Sequence, residues 1–226
     1  MPRTALKDRV LPEYTRGEEI FNMVSHIVGG AFSIVATVLC IIVATIHSNV
    51  YGIVSSAIYG VTLIFLYTMS SIYHGLKPER NAKKVFQVLD HCSIFVLIAG
   101  SYTPILLSGI MKIAPITAWW LFGIIWGMAT LGIVLNAIDL KQFKIFSMIC
   151  YLVMGWCIIV KIGLLYQAIG MAGFILLVAG GLAYTLGAVM YYLNKKKHVK
   201  YMHSMFHLAV LAGSILQFFA IILYVL

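Results

Sequence analysis

The 226-residue chain is 62% hydrophobic and only 10% charged, against about 25% charged residues in an ordinary soluble domain, so a water-soluble globular protein is excluded. Its formal net charge of +9 requires no nucleic-acid partner, because the bases sit in short patches that suit a membrane topology signal and anionic lipid headgroups. Cys40, Cys92, Cys150 and Cys157 lie in apolar stretches without a C-x-x-C spacing, which implies no disulfide framework.

In chain order, residues 1–20 form a mixed-charge N-terminal segment, expected to be cytoplasmic, and residues 21–226 read as one transmembrane domain. Seven apolar stretches follow: Asn22–Ile46, Val50–Tyr73, Val85–Ile110, Ile116–Ala137, Ile145–Leu165, Met171–Leu193 and His203–Leu226. Each has about 20 residues or more, enough at a 1.5 Å rise to cross ~30 Å of hydrocarbon. The first exceeds the roughly 7–15 apolar residues of a signal peptide and reads as a membrane helix. Only His47-Ser-Asn49 separates the first stretch from the second, and Tyr166–Gly170 the fifth from the sixth, which makes antiparallel neighbours. Continuous apolar runs speak against a β-barrel. The expected fold is all-α and polytopic, with seven transmembrane helices in a cell membrane. Pro104 should kink the third helix, and Gly123-Ile-Ile-Trp-Gly127 has the small-xxx-small spacing of close helix packing.

Fourteen of the sixteen Lys and Arg residues fall on one side of this topology: in the head, at Lys77–Lys84, at Lys141 and Lys144, and at Lys195–Lys200. The positive-inside rule then puts the N-terminus in the cytoplasm and the C-terminus outside. Lys161 should snorkel from the end of its helix, and His47 and His198 read as loop residues.

Depth sorts the buried polar groups. His74 ends the second stretch, Asp90 and His91 open the third, and His203-Ser-Met-Phe-His207 opens the seventh, all at the basic side. His203 and His207, four apart, share one helix face and can reach one ion. Three imidazoles suit Zn²⁺ with a fourth position left for water, the open arrangement of a catalytic site. Asp90 is the only carboxylate inside an expected span. It would orient or deprotonate that water, unless it is simply a helix-start residue favoured by the macrodipole. Ser70 lies one turn before His74 and would hydrogen-bond into the site, or else bond its own helix backbone. His26 with Asn22 is either a supporting pair or a polar helix start. Asp90 and His91 point about 100° apart, so only one of them should face the site.

Taken in order, Glu19-x-x-Asn22-x-x-x-His26, Ser70-Ser-Ile-Tyr-His74, Leu89-Asp90-His91, Gly100-Ser-Tyr-Thr-Pro104 and His203-x-x-x-His207 resemble the successive motifs of the haemolysin-III family, the bacterial branch of the progestin and adipoQ receptor superfamily. The resemblance implies seven helices and an intramembrane zinc held by His74, His203 and His207. It also implies that Asp90 bonds the zinc-held water, with Ser70 beside it. Similarity of the superfamily to alkaline ceramidases implies metal-assisted hydrolysis of a lipid amide, with the acyl chain between the helices. Two other functions remain open: a non-enzymatic membrane-state sensor with structural zinc, and a cytolytic membrane protein.

Overall fold

In a computed structural model, residues 4–197 and 199–226 are described, with the side chains of Lys7 and of residues 194–197 excluded. The loop expectation for His198 therefore lies outside the described residues. Among them there is no strand. The helices are α1 (Arg16–Ile46), α2 (Val50–Gly75), α3 (Asn81–Pro104), α4 (Pro115–Asp139), α5 (Lys144–Trp156), α6 (Ile162–Lys197) and α7 (Met202–Tyr224).

α1 starts six residues before the first expected span. Thr15 caps it reciprocally: its hydroxyl accepts the Glu18 amide, while the Glu18 carboxylate reaches back to the Thr15 amide at 2.9 Å. Glu18 and Glu19 thus stand in the first turn of a helix, and Asp139 closes α4. Asp90 is not the only carboxylate carried by these helices, because the expected spans stopped short at both places. Pro104 does not end its helical stretch. The chain continues through a wide π-type turn, Ile105–Gly109, and a 3-10 turn, Ile110–Lys112, as expected where a missing N–H removes one rung.

Among the described residues, six helical stretches are long and apolar enough to cross a membrane, the fifth being Lys144–Leu193 at 50 residues. That stretch is folded back on itself. Gly170 has φ 67° and ψ 180°, and Trp156 donates its indole N–H to Thr185 Oγ1 at 2.9 Å across the bend. α6 then pairs antiparallel with α7: Gly173 faces Tyr224, and Gly187 faces Phe206 and Ala209. α1 and α2 form a similar hairpin in which a Cβ on Gly29 would stand 2.5 Å from the Tyr67 ring. α3 is central, with 78% of its most apolar window buried against 28% for α1 and 22% for α4.

Polarity is distributed inside out relative to a soluble protein. Ile27, Ile34, Val38 and Ile42 of α1 are exposed, while Asn22, His26, Ser70, His74 and Lys83 are buried. In lipid, apolar burial drives helices together no better than lipid tails do, so close packing and polar contacts hold them. The far end is tied by such contacts. Asn49 caps α2 through Gly52 and donates to Ser108 Oγ at 2.6 Å, and Ser108 donates to the Val225 carbonyl.

Gly170 occupies a backbone region open essentially to glycine alone. Gly170→Ala is expected to lower stability by about 1–3 kcal/mol. Gly163→Ala, on a helix with nothing within 4 Å of the added Cβ, is expected to be neutral or stabilising by up to ~1 kcal/mol. Thermal unfolding in detergent checks both.

Candidate metal centre

α1 packs against both α2 and α7, which run in opposite directions, and side chains from the last turn of α2 reach those of the first two turns of α7. This places His74 against His203 and His207, all three buried, with one potential ligand atom from each lying within 4.8 Å of the others. The Nε2 atoms of His203 and His207 stand 3.1 Å apart, close to the roughly 3.3–3.4 Å implied by tetrahedral bonds of 2.0–2.1 Å. Two imidazole lone pairs cannot face each other at that distance without a proton or a cation between them.

The third imidazole is prepared by its neighbours. His74 Nδ1 lies 2.6 Å from Glu19 Oε2, and the other carboxylate oxygen accepts from Lys83 Nζ at 2.7 Å. Bonding to the carboxylate keeps the proton on Nδ1 and leaves Nε2 bare. That atom is buried without a hydrogen-bond partner. A carboxylate behind a histidine is the usual support of a metal-ligating imidazole. Lys83, although buried, has every requirement met: it also donates to the Leu76 carbonyl at 2.9 Å and lies over the Tyr73 ring. The donor set thus fits a divalent metal of the zinc class.

Asn22 and His26 continue the Glu19 face of α1 into the centre. The His26 ring lies 3.9 Å from that of His207, centroid to centroid, and neither its two nitrogens nor the Asn22 amide atoms have partners. Above the cluster, Tyr14 stacks on His203 at 4.8 Å. Burial, reinforced by Tyr191 and by the carboxylates of Glu19, Asp90 and Glu18, holds the Tyr14 phenol well above its usual range, so it is a neutral cover.

Ser70 and Asp90 meet on the wall of an adjoining cavity, which His26 and His203 also line. Ser70 stands near Asp90 on that wall, whereas its neighbour Ser71 bonds its own helix at the Tyr67 carbonyl. His91 lines the same cavity as Asp90. Its nitrogens are engaged, by the Gln87 carbonyl at 2.8 Å and the Tyr191 hydroxyl at 3.3 Å. His47 lies at the opposite end of the bundle, against the Leu226 carbonyl.

Sequence reasoning missed Glu19 as the partner of His74 and Lys83 as the partner of Glu19. The signal was present: Thr15-x-x-Glu18 is a capping box, and it starts the helix early enough to put Glu19, Asn22 and His26 on one face at i, i+3 and i+7.

A family model described as "Haemolysin-III related" matches residues 14–218. The chain belongs to the haemolysin-III family. It is 39% identical to "Hemolysin-3" of Bacillus cereus over 209 residues, which cover 92% of each protein. It is 37% identical to "Hemolysin-3 homolog" of Bacillus subtilis (strain 168) over 211 residues, 93% of this chain and 96% of that one. A more distant relative is human "Monocyte to macrophage differentiation factor", 25% identical over 166 residues, 70% of this chain and 65% of that one. This haemolysin-III protein is a multi-pass membrane protein, and its apolar helical stretches suit a cell membrane.

Glu19 holds His74 and Lys83 at once, one carboxylate oxygen to each. Lys83→Met is expected to destabilise the protein by about 3–5 kcal/mol, because it strands a largely buried carboxylate. Glu19→Gln in the same chain should recover part of that loss, since both charges are then gone. Denaturant unfolding of the two single variants and the double variant measures the coupling.

Proposed function

We propose that this haemolysin-III protein is a zinc-dependent hydrolase of lipid amide bonds, of the ceramide type, working inside the membrane. The observation that carries it is the joining of two features in one buried layer. Three imidazoles with bare or facing nitrogens lie beside a carboxylate–serine pair that opens on an apolar cavity. His74, His203 and His207 are the ligands in this reading, and Asp90 and Ser70 the reacting pair.

Zn²⁺ held there would supply a Lewis acid next to the amide carbonyl and would acidify a water molecule at neutral pH. Asp90 would take a proton from an attacking water on a carboxylate oxygen as the new C–O bond forms. It then returns the proton to the amine nitrogen as the C–N bond breaks. Ser70 donates to Asp90 and so holds the carboxylate in place. Glu19 keeps the His74 proton on Nδ1, with Nε2 directed inward. Tyr14 and the Tyr73 ring shield this layer from bulk water.

The accompanying topology has seven passages, with the N-terminus in the cytoplasm. Its support is the length of Lys144–Leu193: 50 residues in one helix would run ~75 Å at 1.5 Å per residue, more than twice the ~30 Å of hydrocarbon. The return at Gly170 divides it into two passes. The basic loops then gather at the end that holds the histidines.

The name shared by the two bacterial relatives, "Hemolysin-3" and its homolog, favours membrane lysis as a second reading. Leakage from dye-filled liposomes carrying the protein would support it, and intact liposomes would remove it.

The hydrolase reading predicts one zinc per wild-type chain by elemental analysis, lost in each of His74→Ala, His203→Ala and His207→Ala. Asp90→Asn should keep the metal and lose ceramide turnover by about 10²–10⁴-fold. Zinc retained with no turnover of any ceramide by wild type would leave the ion as a structural tie between α2 and α7.

A further inference from the structure

The cavity beside the metal centre runs from Asp90 and His203 past Leu97 and Val210 to Tyr184 and Gln217. Among the described residues that line it, Lys144 is the only Lys or Arg. It is the first residue of α5 and is half-buried. A lysine near a membrane surface ordinarily extends its ammonium to water. Lys144 instead lays its ammonium over the Tyr191 ring, 5.0 Å from the centroid.

Tyr191 joins this lysine to the histidine layer. Its ring centroid is 6.0 Å from that of His203, and its hydroxyl stands 3.3 Å from His91 Nε2. The ammonium is therefore one aromatic ring away from a histidine of the metal centre.

Lys83 and Lys144 differ in how their charge is met. Lys83 has the Glu19 carboxylate, the Leu76 carbonyl and the Tyr73 ring. Lys144 has a ring face and, among the described residues, no ion pair. None of the seven acidic residues of the chain is its partner. An aromatic face attracts a cation but carries no net charge. What completes a half-buried ammonium is an anion that accepts its three N–H donors.

The remaining walls indicate which half of a lipid amide carries that anion. The acyl half is hydrocarbon and suits Leu97, Ile98 and Val210. The anion then belongs to the amine half, within a few bonds of the amide. One fixed cation balances one negative charge, which favours a carboxylate over a phosphate monoester of about −1.5 to −2.

We propose that Lys144 binds the carboxylate of a lipid amide whose amine half is an amino acid, so that N-acyl amino acids are preferred to neutral amides; this rests on the reading of the histidine layer as the place where the amide is cleaved. Lys144 holds the carboxylate, Tyr191 holds the ammonium, and the amide carbonyl is directed toward the histidines. Hydrolysis of such an amide consumes one water and yields a fatty acid and a free amino acid.

The test uses the full-length protein in neutral detergent, with displacement of a fluorescent N-acylethanolamine. The competitors are N-palmitoylglycine, its near-isostere N-palmitoylethanolamine, and the phosphate ester of the latter. Wild type should bind N-palmitoylglycine about tenfold more tightly than N-palmitoylethanolamine, the worth of one charge-assisted hydrogen bond. In Lys144→Met that preference should disappear, and in Lys144→Arg it should persist. The ratio is taken within each variant, so a smaller folded fraction does not alter it. Lys141→Met removes an exposed charge outside the cavity and should keep the wild-type ratio. Equal binding of the two amides by wild type overturns the proposal. So does a preference that survives in Lys144→Met, where the metal centre would be holding the carboxylate, or one that vanishes in Lys141→Met. A phosphate ester bound more tightly than N-palmitoylglycine overturns the carboxylate assignment. Zinc content and palmitate release, measured on the same samples, separate the two readings. A preference for N-palmitoylglycine without release of palmitate from any amide upholds the anion site while the hydrolase reading fails. No preference, with zinc and turnover intact, sinks the anion site alone.

Discussion

Glu19 sits between His74 and Lys83, one carboxylate oxygen to each, and much else in the bundle follows from that placement. The carboxylate belongs to α1, the imidazole to α2 and the ammonium to α3, so three helices are pinned at one depth. Charges this poorly hydrated are tolerated only when each is paired and its remaining hydrogen-bonding capacity used. Lys83 meets that requirement through the Leu76 carbonyl and the Tyr73 ring, which also fixes how α2 ends and how the chain turns into α3. With α2 held, His74 has only one direction left for its free nitrogen, toward α7.

The membrane setting gives such contacts their leverage. A soluble bundle would bring its helices together by burying nearly all its large apolar side chains; here many isoleucines and valines face outward, where lipid replaces water, around a core that includes Leu63, Leu106 and Ile221. Specificity inside then comes from shape and polarity: Gly29 lets the Tyr67 ring lie on α1, and Tyr67 in turn supports His26 and bonds Ser214. The same tyrosine therefore links the metal layer to the deeper polar cluster. The two ends of the cavity are connected through packing as well as through the space between them.

Much of the site could be read from residue types alone, because in an apolar chain each ionisable group is conspicuous. His74, Asp90, His203 and His207 stood out at matching depth, and α2 and α7 bring the three histidines together. The omissions have a common origin. Hydropathy defines a span by where its apolar residues begin, and α1 begins earlier, at a capping box that hydropathy does not register. Glu18 and Glu19 were therefore counted as head, and Lys83 as a loop base, although one is a helix-start acid and the other a buried cation. The bend at Gly170 shows the opposite case. Tyr166–Gly170 was expected to join two apolar helices, and Gly170 within it leaves helical geometry.

By itself the sequence determined that the protein is helical and membrane-embedded, and which side chains are costly to bury. These properties depend on composition and on periods of one or two helical turns, which are local. Tertiary structure decided which of the costly groups are partners. The 3.1 Å approach of His203 to His207 is within one helix and so was implicit in the spacing. The bond from Glu19 to His74 joins positions 55 apart, and that from Tyr67 to Ser214 joins positions 147 apart. Whether such groups meet depends on helix rotation and neighbour order. Those are set by the packing of whole faces, to which no single segment holds the key.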